Sequence, residues 1–313
     1  MHSLPFDKPG RFYRGNLHLH STNSDGRRSP EETLRGYRER GYDFVSLTDH
    51  FLPQDGVDPV VSDTVALRSD GFTTILGAEI HGPGMACGDL WHIVANGLPL
   101  DFPWLGREET GPEIAARARA AGAFVSIAHP YWSTTSIADA DTVLEHAHAV
   151  EVYNHGCQVE VDRGDSWHFA DVLLGRGDRL TAIATDDAHF GHKPKPDGDA
   201  YGGWVHVRAE SLDPDSLLAA LKSGHFYSST GPELRDVRVE GDELHIACSP
   251  VNAILVTGAG CCSRRIQPGP VESGCVPLEP FHKGGFARVT VVDADGKRAW
   301  TNPIWLDGTD STS

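Results

Sequence analysis

Histidines and carboxylates gather in short motifs along the first part of the sequence, where the first 192 residues hold 13 of the 17 histidines. In the stretch RGNLHLHSTNSDG, Leu17 and Leu19 alternate with His18 and His20, and Asp25 follows five positions later. A period of two is that of a half-buried strand and places both imidazoles on one face. Two interpretations compete at this point: a strand with one wet polar face, or half of a metal site.

Further ligand-type side chains follow other predicted strands. They are His50 in LTDH, Glu79 in LGAE, His129 in AHP, and Asp187 and His189 in DDAH. Imidazole nitrogens and carboxylate oxygens together suit Zn²⁺, Mn²⁺ or Fe²⁺. With the opening motif they make eight candidates, more than one tetrahedral ion uses, so we expect two or three divalent ions. Glu79 is suited to bridge two of them.

These side chains need elements that bring them together, and the sequence predicts alternating strands and helices up to about residue 230. The predicted strands cover residues 13–19, 44–48, 73–79, 92–98, 124–129, 150–154, 180–186 and 203–207. The predicted helices cover residues 29–41, 111–122, 139–148, 165–177 and 213–224. Such alternation favours an α/β fold with a largely parallel sheet, and the carboxyl ends of its strands would meet on one side.

The pattern changes after the STGPEL segment. Hairpin turns at Gly241-Asp242 and at Asp295-Gly296 and the loss of helical periodicity predict a small all-β unit. We therefore expect a catalytic domain at 1–231 and a small β-sandwich-like domain with a polar tail at 232–313.

The ordered motifs HLHSTNSDG, LTDH, GAE, AHP and DDAH closely resemble the polymerase-and-histidinol-phosphatase (PHP) superfamily of metallohydrolases over about residues 13–230. This resemblance implies a distorted barrel of seven β/α units with a bi- or trinuclear metal centre. It carries over as metal ligands His18, His20, Asp25, His50, Glu79, His92, His129, Asp187 and His189. His92 is preferred to His81 because it resembles the histidine that follows the glutamate in members of that superfamily. The GHFYSSTGP and TNPIW segments look like the carbaryl-hydrolase-like branch.

The resemblance and the ligand chemistry together predict a metal-dependent hydrolase, with a phosphoesterase acting on a small anionic molecule as the first hypothesis. A metal-bound water, with a pKa near ~7, would be the nucleophile. Asp187, His189, Glu151 and Asn154 are the supporting candidates. A carbamate or carboxylic ester hydrolase with the same ions, or a non-catalytic metal-binding module, are the alternatives.

Substrate contacts are expected from two places. Tyr131 and Trp132 directly follow AHP and would form an aromatic wall, although core packing explains them equally well. The loop 190–203 would act as a lid in which His192 and Lys193 meet an anionic group, and the alternative is an ordinary solvated loop. Asp49 is expected to orient an imidazole or to belong to a turn.

Composition narrows the class of partner. Lys and Arg total 27 against 44 Asp and Glu, a formal net charge of −17, which argues against broad nucleic-acid binding. Apolar runs are too short to span a bilayer, no C-x-x-C pair is present, and the first residues lack a basic segment followed by an apolar run. These features predict a cytoplasmic protein without a membrane partner, and they leave the oligomeric state open.

Overall fold

The strands of the first two thirds of the chain form the wall of a barrel in a computed structural model that describes residues 4–54, 56–191, 195 and 197–306. In chain order they are β1 (Arg11–Asn16), β2 (Phe44–Leu47), β3 (His50–Phe51), β4 (Thr73–Gly82), β5 (Trp91–Asn96), β6 (Phe124–Ile127), β7 (Ala149–Asn154) and β8 (Thr181–Thr185). Their spatial order is β1-β2-β4-β5-β6-β7-β8, with β3 beside β4. These seven wall strands give the α/β barrel class that the sequence predicts.

The barrel closes just beyond the ends of its first and last strands. Leu19 and Ala188 form a parallel bridge, the amide of His20 donates to the carbonyl of Ala188 at 3.0 Å, and the amide of Asp187 donates to the carbonyl of His18 at 2.8 Å. The strands meet at the end where the candidate ligands lie, so barrel closure and ligand placement depend on the same contacts.

One strand runs against the others, which the prediction of alternating parallel units did not anticipate. β5 pairs antiparallel with both β4 and β6. A hairpin with no helix joins β4 to β5, so the start of β5, and not its carboxyl end, reaches the ligand side. His92 lies there and pairs directly with His81 of β4.

Six α-helices lie within the described residues, five of them between the barrel strands and the sixth after these strands. They are α1 (Pro30–Glu39), α2 (Gly111–Ala120), α3 (Ile137–Asp141), α4 (His155–Val161), α5 (Trp167–Arg176) and α6 (Pro214–Lys222). The start of α1 shows why the sequence folds this way: the Ser29 hydroxyl accepts from the amide of Glu32, and Pro30 occupies the first helical position. The predicted helix at 139–148 is wrong in extent, because α3 ends at Asp141 and turns follow. Helix α4 was not predicted.

The later strands extend the barrel sheet. They are β9 (Trp204–Ala209), β10 (Phe226–Ser229), β11 (Leu234–Glu240), β12 (Glu243–Val251), β13 (Ala253–Thr257), β14 (Ser263–Ile266), β15 (Val271–Pro277), β16 (Phe286–Val292), β17 (Arg298–Thr301) and β18 (Ile304–Trp305). β9 pairs antiparallel with β1, and β10 joins β9 to β17, while β11, β12 and β15 form a separate sheet. Both predicted hairpin turns lie between paired strands, whereas the domain division at 231/232 stays a prediction.

Separate apolar clusters support the two regions. One lies around the barrel and includes Trp91, Val152 and Leu173, and another lies under the later strands and includes Phe281 and Val289. No helix among the described residues is both long and apolar enough to cross a membrane.

Candidate metal centre

The loop that follows β1 supplies the first two candidate ligands. The strand ends at Asn16, earlier than predicted, yet the alternation continues: Leu17 and Leu19 are fully buried, and His18 and His20 are equally buried on the opposite face. Both rings therefore point into the barrel, where water cannot satisfy their nitrogens.

The inner part of the site joins those histidines to two carboxylates. The Nε2 atoms of His18 and His20 each lie 3.6 Å from Oε2 of Glu79. They lie 3.2 and 2.9 Å from Oδ1 of Asp187. Four ligand-type groups from the loop after β1, from β4 and from the loop after β8 thus converge on one small volume.

The outer part of the site lies around Asp25, whose side chain is 56% exposed. Its Oδ1 is 3.4 Å from Nε2 of His50 and 3.3 Å from Nε2 of His189. Although burial disfavours charged rings, nearby carboxylates raise the pKa of His50 to about 10 and that of His189 to about 9. Burial and these two rings lower the pKa of His20 to about 4. The carboxylates therefore create a strong demand for positive charge.

A third group lies on the other side of Glu79. Oε1 of Glu79 lies 2.8 Å from Nδ1 of His92 and 3.2 Å from Nε2 of His129. Because Glu79 contacts the inner group through Oε2 and this group through Oε1, it is the shared carboxylate of the cluster. Burial opposes ionisation of Glu79, but the surrounding imidazoles hold its pKa well below the usual range.

His81 also belongs to this constellation. Its Nε2 lies 2.8 Å from Nδ1 of His50 and 3.5 Å from Oε2 of Glu79. The sequence signal was the i, i+2 spacing from Glu79, which places both side chains on one face of β4. His81 is therefore a tenth ligand-type residue beside the nine predicted ones.

The donor atoms fit divalent cations. Nε2 of His18, Nε2 of His20 and Oε2 of Glu79 are buried and make no hydrogen bond within the described structure. Buried polar atoms without partners are costly, and three of them facing one another are the arrangement that a cation would satisfy. Several overlapping sets of three or four ligand atoms, each within 4.8 Å of one another, give room for more than one ion.

The second nitrogen of each of three rings is held by a neighbour. Nδ1 of His18 lies 2.9 Å from Glu151, that of His129 lies 2.9 Å from the Ser133 hydroxyl, and that of His189 lies 2.9 Å from the carbonyl of Asp187. Such partners fix the tautomer and leave Nε2 free for a metal.

Glu151 and Asn154 lie beneath the ligands and not in the open cleft. Glu151 is fully buried and also accepts from the amide of His129 at 2.7 Å and from the Asn154 side chain at 2.9 Å. The same amide group of Asn154 lies 3.1 Å from Oδ2 of Asp187. This placement supports a role of both residues in orienting the metal ligands. It does not support a direct contact of either side chain with a substrate.

Two other aspartates organise the loops of the site. Asp49 accepts from the Ser21 amide at 2.6 Å and from the hydroxyls of Ser24 and Ser62 at 2.9 and 2.7 Å. It therefore holds the turn that carries Asp25, and it makes no hydrogen bond with an imidazole of the described residues. Asp187 itself adopts a left-handed backbone with a φ of 56°, a conformation that non-glycine residues rarely occupy outside functional sites.

A cleft of about 400 Å³ opens over the cluster. Trp132 lines it with its ring 5.0 Å from that of His129, whereas Tyr131 is not among the lining residues. Arg27 and Glu160 also line the cleft, and sequence reasoning missed both. The predicted contacts His192 and Lys193 lie outside the described residues.

Comparison with known proteins bears on the fold. No protein-family model and no curated protein matches the chain. A two-domain crystal structure from Bacteroides vulgatus, described as containing a predicted PHP-like metal-dependent phosphoesterase, matches with a TM-score of 0.55 and 18% identity. The match covers 96% of this chain and 98% of that one. A candidate metal-dependent phosphoesterase from Bifidobacterium adolescentis matches 58% of this chain and 89% of its own length at 15% identity, with a TM-score of 0.43.

The carbaryl-hydrolase-like branch stays a prediction, since neither neighbour tests it. The Bacteroides protein aligns over nearly the whole chain, including the later β strands, at an identity that speaks for the fold alone. The resemblance that the motifs indicated is thus confirmed at the level of structure: the chain has the fold of a PHP-like protein.

Proposed function

We propose that this protein is a metal-dependent hydrolase that cleaves a phosphoester of a small molecule. The observation that carries the proposal is the set of buried, unpartnered ligand atoms on His18, His20 and Glu79 beneath an open cleft. The Bacteroides protein is described as containing a predicted PHP-like metal-dependent phosphoesterase, which agrees with this reaction class.

Two or three divalent ions, Mn, Zn or Fe, would be held by the predicted ligands, with Glu79 shared between them. Such ions supply a Lewis acid for a phosphoryl oxygen and lower the pKa of water to about 7. Three such ions would carry six positive charges. These would exceed the five negative charges of Asp25, Glu79, Asp187, the buried Glu151 and Glu160 of the cleft wall, which would favour an anionic substrate group.

The chain's own residues position the reactants. Glu151 keeps the ring of His18 in one tautomer and orientation, and Ser133 does the same for His129. Arg27 is an exposed guanidinium at the cleft, and it pairs with no carboxylate among the described residues. It is placed to bind an oxygen of the substrate's phosphate.

A side-chain nucleophile is not part of this proposal. Cys157 is the thiol that lines the cleft, and burial together with the carboxylate of Asp187 raises its pKa. A thiol held in its protonated form is a poor nucleophile. The cleft volume of about 400 Å³ suits a small molecule better than a polymer.

The test is release of inorganic phosphate from a panel of phosphomonoesters and phosphodiesters by the Mn²⁺-loaded protein. We expect turnover that is lost in His20→Ala, in which metal content also falls. Arg27→Ala should raise KM by about tenfold with the metal content unchanged, since a charge-assisted hydrogen bond would be lost.

Surface variant Arg107→Ala is the matched control for Arg27→Ala and should behave as wild type. Absence of phosphate release from protein with confirmed bound metal would contradict the proposal. Carbamates and carboxylic esters would then be assayed as the alternative substrates.

A further inference from the structure

A second cavity of about 620 Å³ adjoins the metal cleft. The two share His92 and Trp132 in their walls. The Trp132 ring stands edge-on to the rings of His92 and His129, at 5.5 and 5.0 Å between ring centroids. A molecule whose anionic group lies over the metal ligands can therefore extend past Trp132 into the second cavity.

Three of the seven residues that line this cavity carry apolar side chains that are partly in solvent. Leu90 is 39% exposed, Trp132 is 40% exposed and Val161 is 52% exposed. They come from three separate segments: the loop before β5, the loop after β6 and the last residue of α4. Apolar surface gathered from distant parts of a chain beside a polar cleft marks a binding surface rather than random exposure.

Two charged side chains, Asp89 and Arg163, line the same cavity. Arg163 lies 5.8 Å from the centroid of the Tyr131 ring, and Asp89 accepts from the thiol of Cys87 at 3.7 Å. Neither Arg163 nor Asp89 forms an ion pair among the described residues. The three apolar residues of the cavity offer an indole ring and aliphatic carbon, which suits a flat ring.

We propose that the second cavity is the leaving-group subsite of the enzyme and that it binds an aromatic ring, so that the substrates are aryl esters. The inference rests on the proposed phosphoester hydrolysis and specifies its substrate class. In the reaction water adds to phosphorus, the bond between phosphorus and the aryl oxygen breaks, and the aryloxide leaves with a proton as a phenol. Trp132 separates the two product sites.

The first measurement is binding of phenylphosphonate and methylphosphonate, which are not hydrolysed, to metal-loaded protein by calorimetry. We expect phenylphosphonate to bind about tenfold more tightly, with the preference falling about threefold in Val161→Ser and disappearing in Trp132→Ala. Val65→Ser is the matched control: Val65 is 43% exposed, lies outside both cavities, and should leave the preference unchanged.

The second measurement compares kcat/KM for phenyl phosphate and an alkyl phosphate in wild type and Val161→Ser. The ratio of kcat/KM for phenyl phosphate to kcat/KM for the alkyl phosphate is compared between the two proteins. Because the intrinsic reactivity of each leaving group is the same in both proteins, a change in this ratio reports on the subsite alone. Equal affinity for both phosphonates, or an equal loss of both in Val161→Ser at full metal content, overturns the subsite. Preference for phenylphosphonate without hydrolysis of any phosphoester supports the aromatic subsite and contradicts the proposed reaction.

Discussion

The metal end of the barrel and the core beneath the later strands differ in the kind of side chain that they bury. At the metal end, His18, Glu79 and Asp187 bury ionisable groups whose atoms face one another. Beneath the later strands, side chains such as Phe281 and Val289 are fully buried with no charge among them. We expect a bound cation to stabilise the first region, whereas the stability of the second should not depend on one.

The largest effect is expected from a substitution of Glu79, the carboxylate that the groups of the metal end share. Glu79→Gln keeps the shape but removes the charge that contacts both the inner histidines and His129. We expect loss of bound metal and a fall in kcat/KM of about 10³-fold, since several kcal/mol of charge stabilisation disappear. Metal analysis and steady-state kinetics on the same sample provide the measurement.

Glu108→Gln, on an exposed loop, is the matched charge-removing control and should keep full metal content. If the Glu79 variant retained its metal and its turnover, the central role of this carboxylate would be wrong.

The counterpart substitution addresses the apolar core. Phe281→Ala removes a fully buried ring, and we expect the free energy of unfolding to fall by about 3–5 kcal/mol through lost burial and a residual cavity. Denaturant unfolding at a fixed metal concentration measures this loss, and metal affinity at low temperature should not change. Leu105→Ala, at 62% exposure, is the control and should have little effect. A large loss of metal affinity in Phe281→Ala would show that the two regions are not independent.

Sequence patterns predict the candidate ligands of the metal end because these residues follow a local rule. His18 and His20 take their common face from the period of two, and Asp187 and His189 follow the last barrel strand directly. The α/β class follows from alternating strands and helices, whereas the barrel was implied by the resemblance of the motifs, and both are confirmed. The substrate contacts stay predictions.

The contacts that could not be predicted from the sequence depend on the register between distant strands. His81 lies beside His92 only because β4 and β5 form an antiparallel hairpin, which the alternating pattern concealed. Glu151 comes under His18 across 133 positions of chain. Helix α4 is only seven residues long, too short for a helical period to emerge, and so the position of Val161 beside the cleft was missed.

A smaller effect on metal affinity is expected from a substitution of Glu151, which contacts a candidate ligand but is not one itself. Glu151→Gln leaves the ligands in place but replaces the acceptor that fixes Nδ1 of His18. We expect metal affinity to weaken about 10- to 100-fold, as is usual when the partner of a ligating histidine is lost. Competition with a metal-sensitive chelator dye gives the dissociation constant. Glu145→Gln is exposed and serves as the control. Unchanged affinity in Glu151→Gln would mean that packing alone orients His18.

One histidine outside the metal end, His206, has a lowered pKa. His206 of β9 stacks on Tyr227 and accepts from the indole of Trp204 at 2.9 Å. Burial, aided by the charge of Arg14, lowers the pKa of His206 to about 3. Below the unfolded-state pKa near 6.5 the unfolded chain takes up a proton that the folded chain refuses, so stability falls as the pH falls from about 6.5 towards 3.

His206→Gln keeps an acceptor for Trp204 and removes the titration. Between pH 7 and pH 5, wild type should lose about 1–2 kcal/mol more unfolding free energy than this variant. Urea titrations at the two pH values give the difference directly. Parallel losses in the two proteins would mean that His206 titrates as freely when folded as when unfolded.

The smallest effect is expected from a charge in the later strands. Glu240 pairs with Arg238 at 2.6 Å on the surface, where water and salt screen both groups. Glu240→Gln makes the same chemical change as Glu79→Gln, yet we expect no measurable shift in unfolding midpoint, metal content or turnover. The contrast between the two variants isolates burial as the cause, since the substitution is identical and only the surroundings differ. A clear destabilisation at Glu240 would instead show that the surface ion pair contributes to the sheet of β11, β12 and β15.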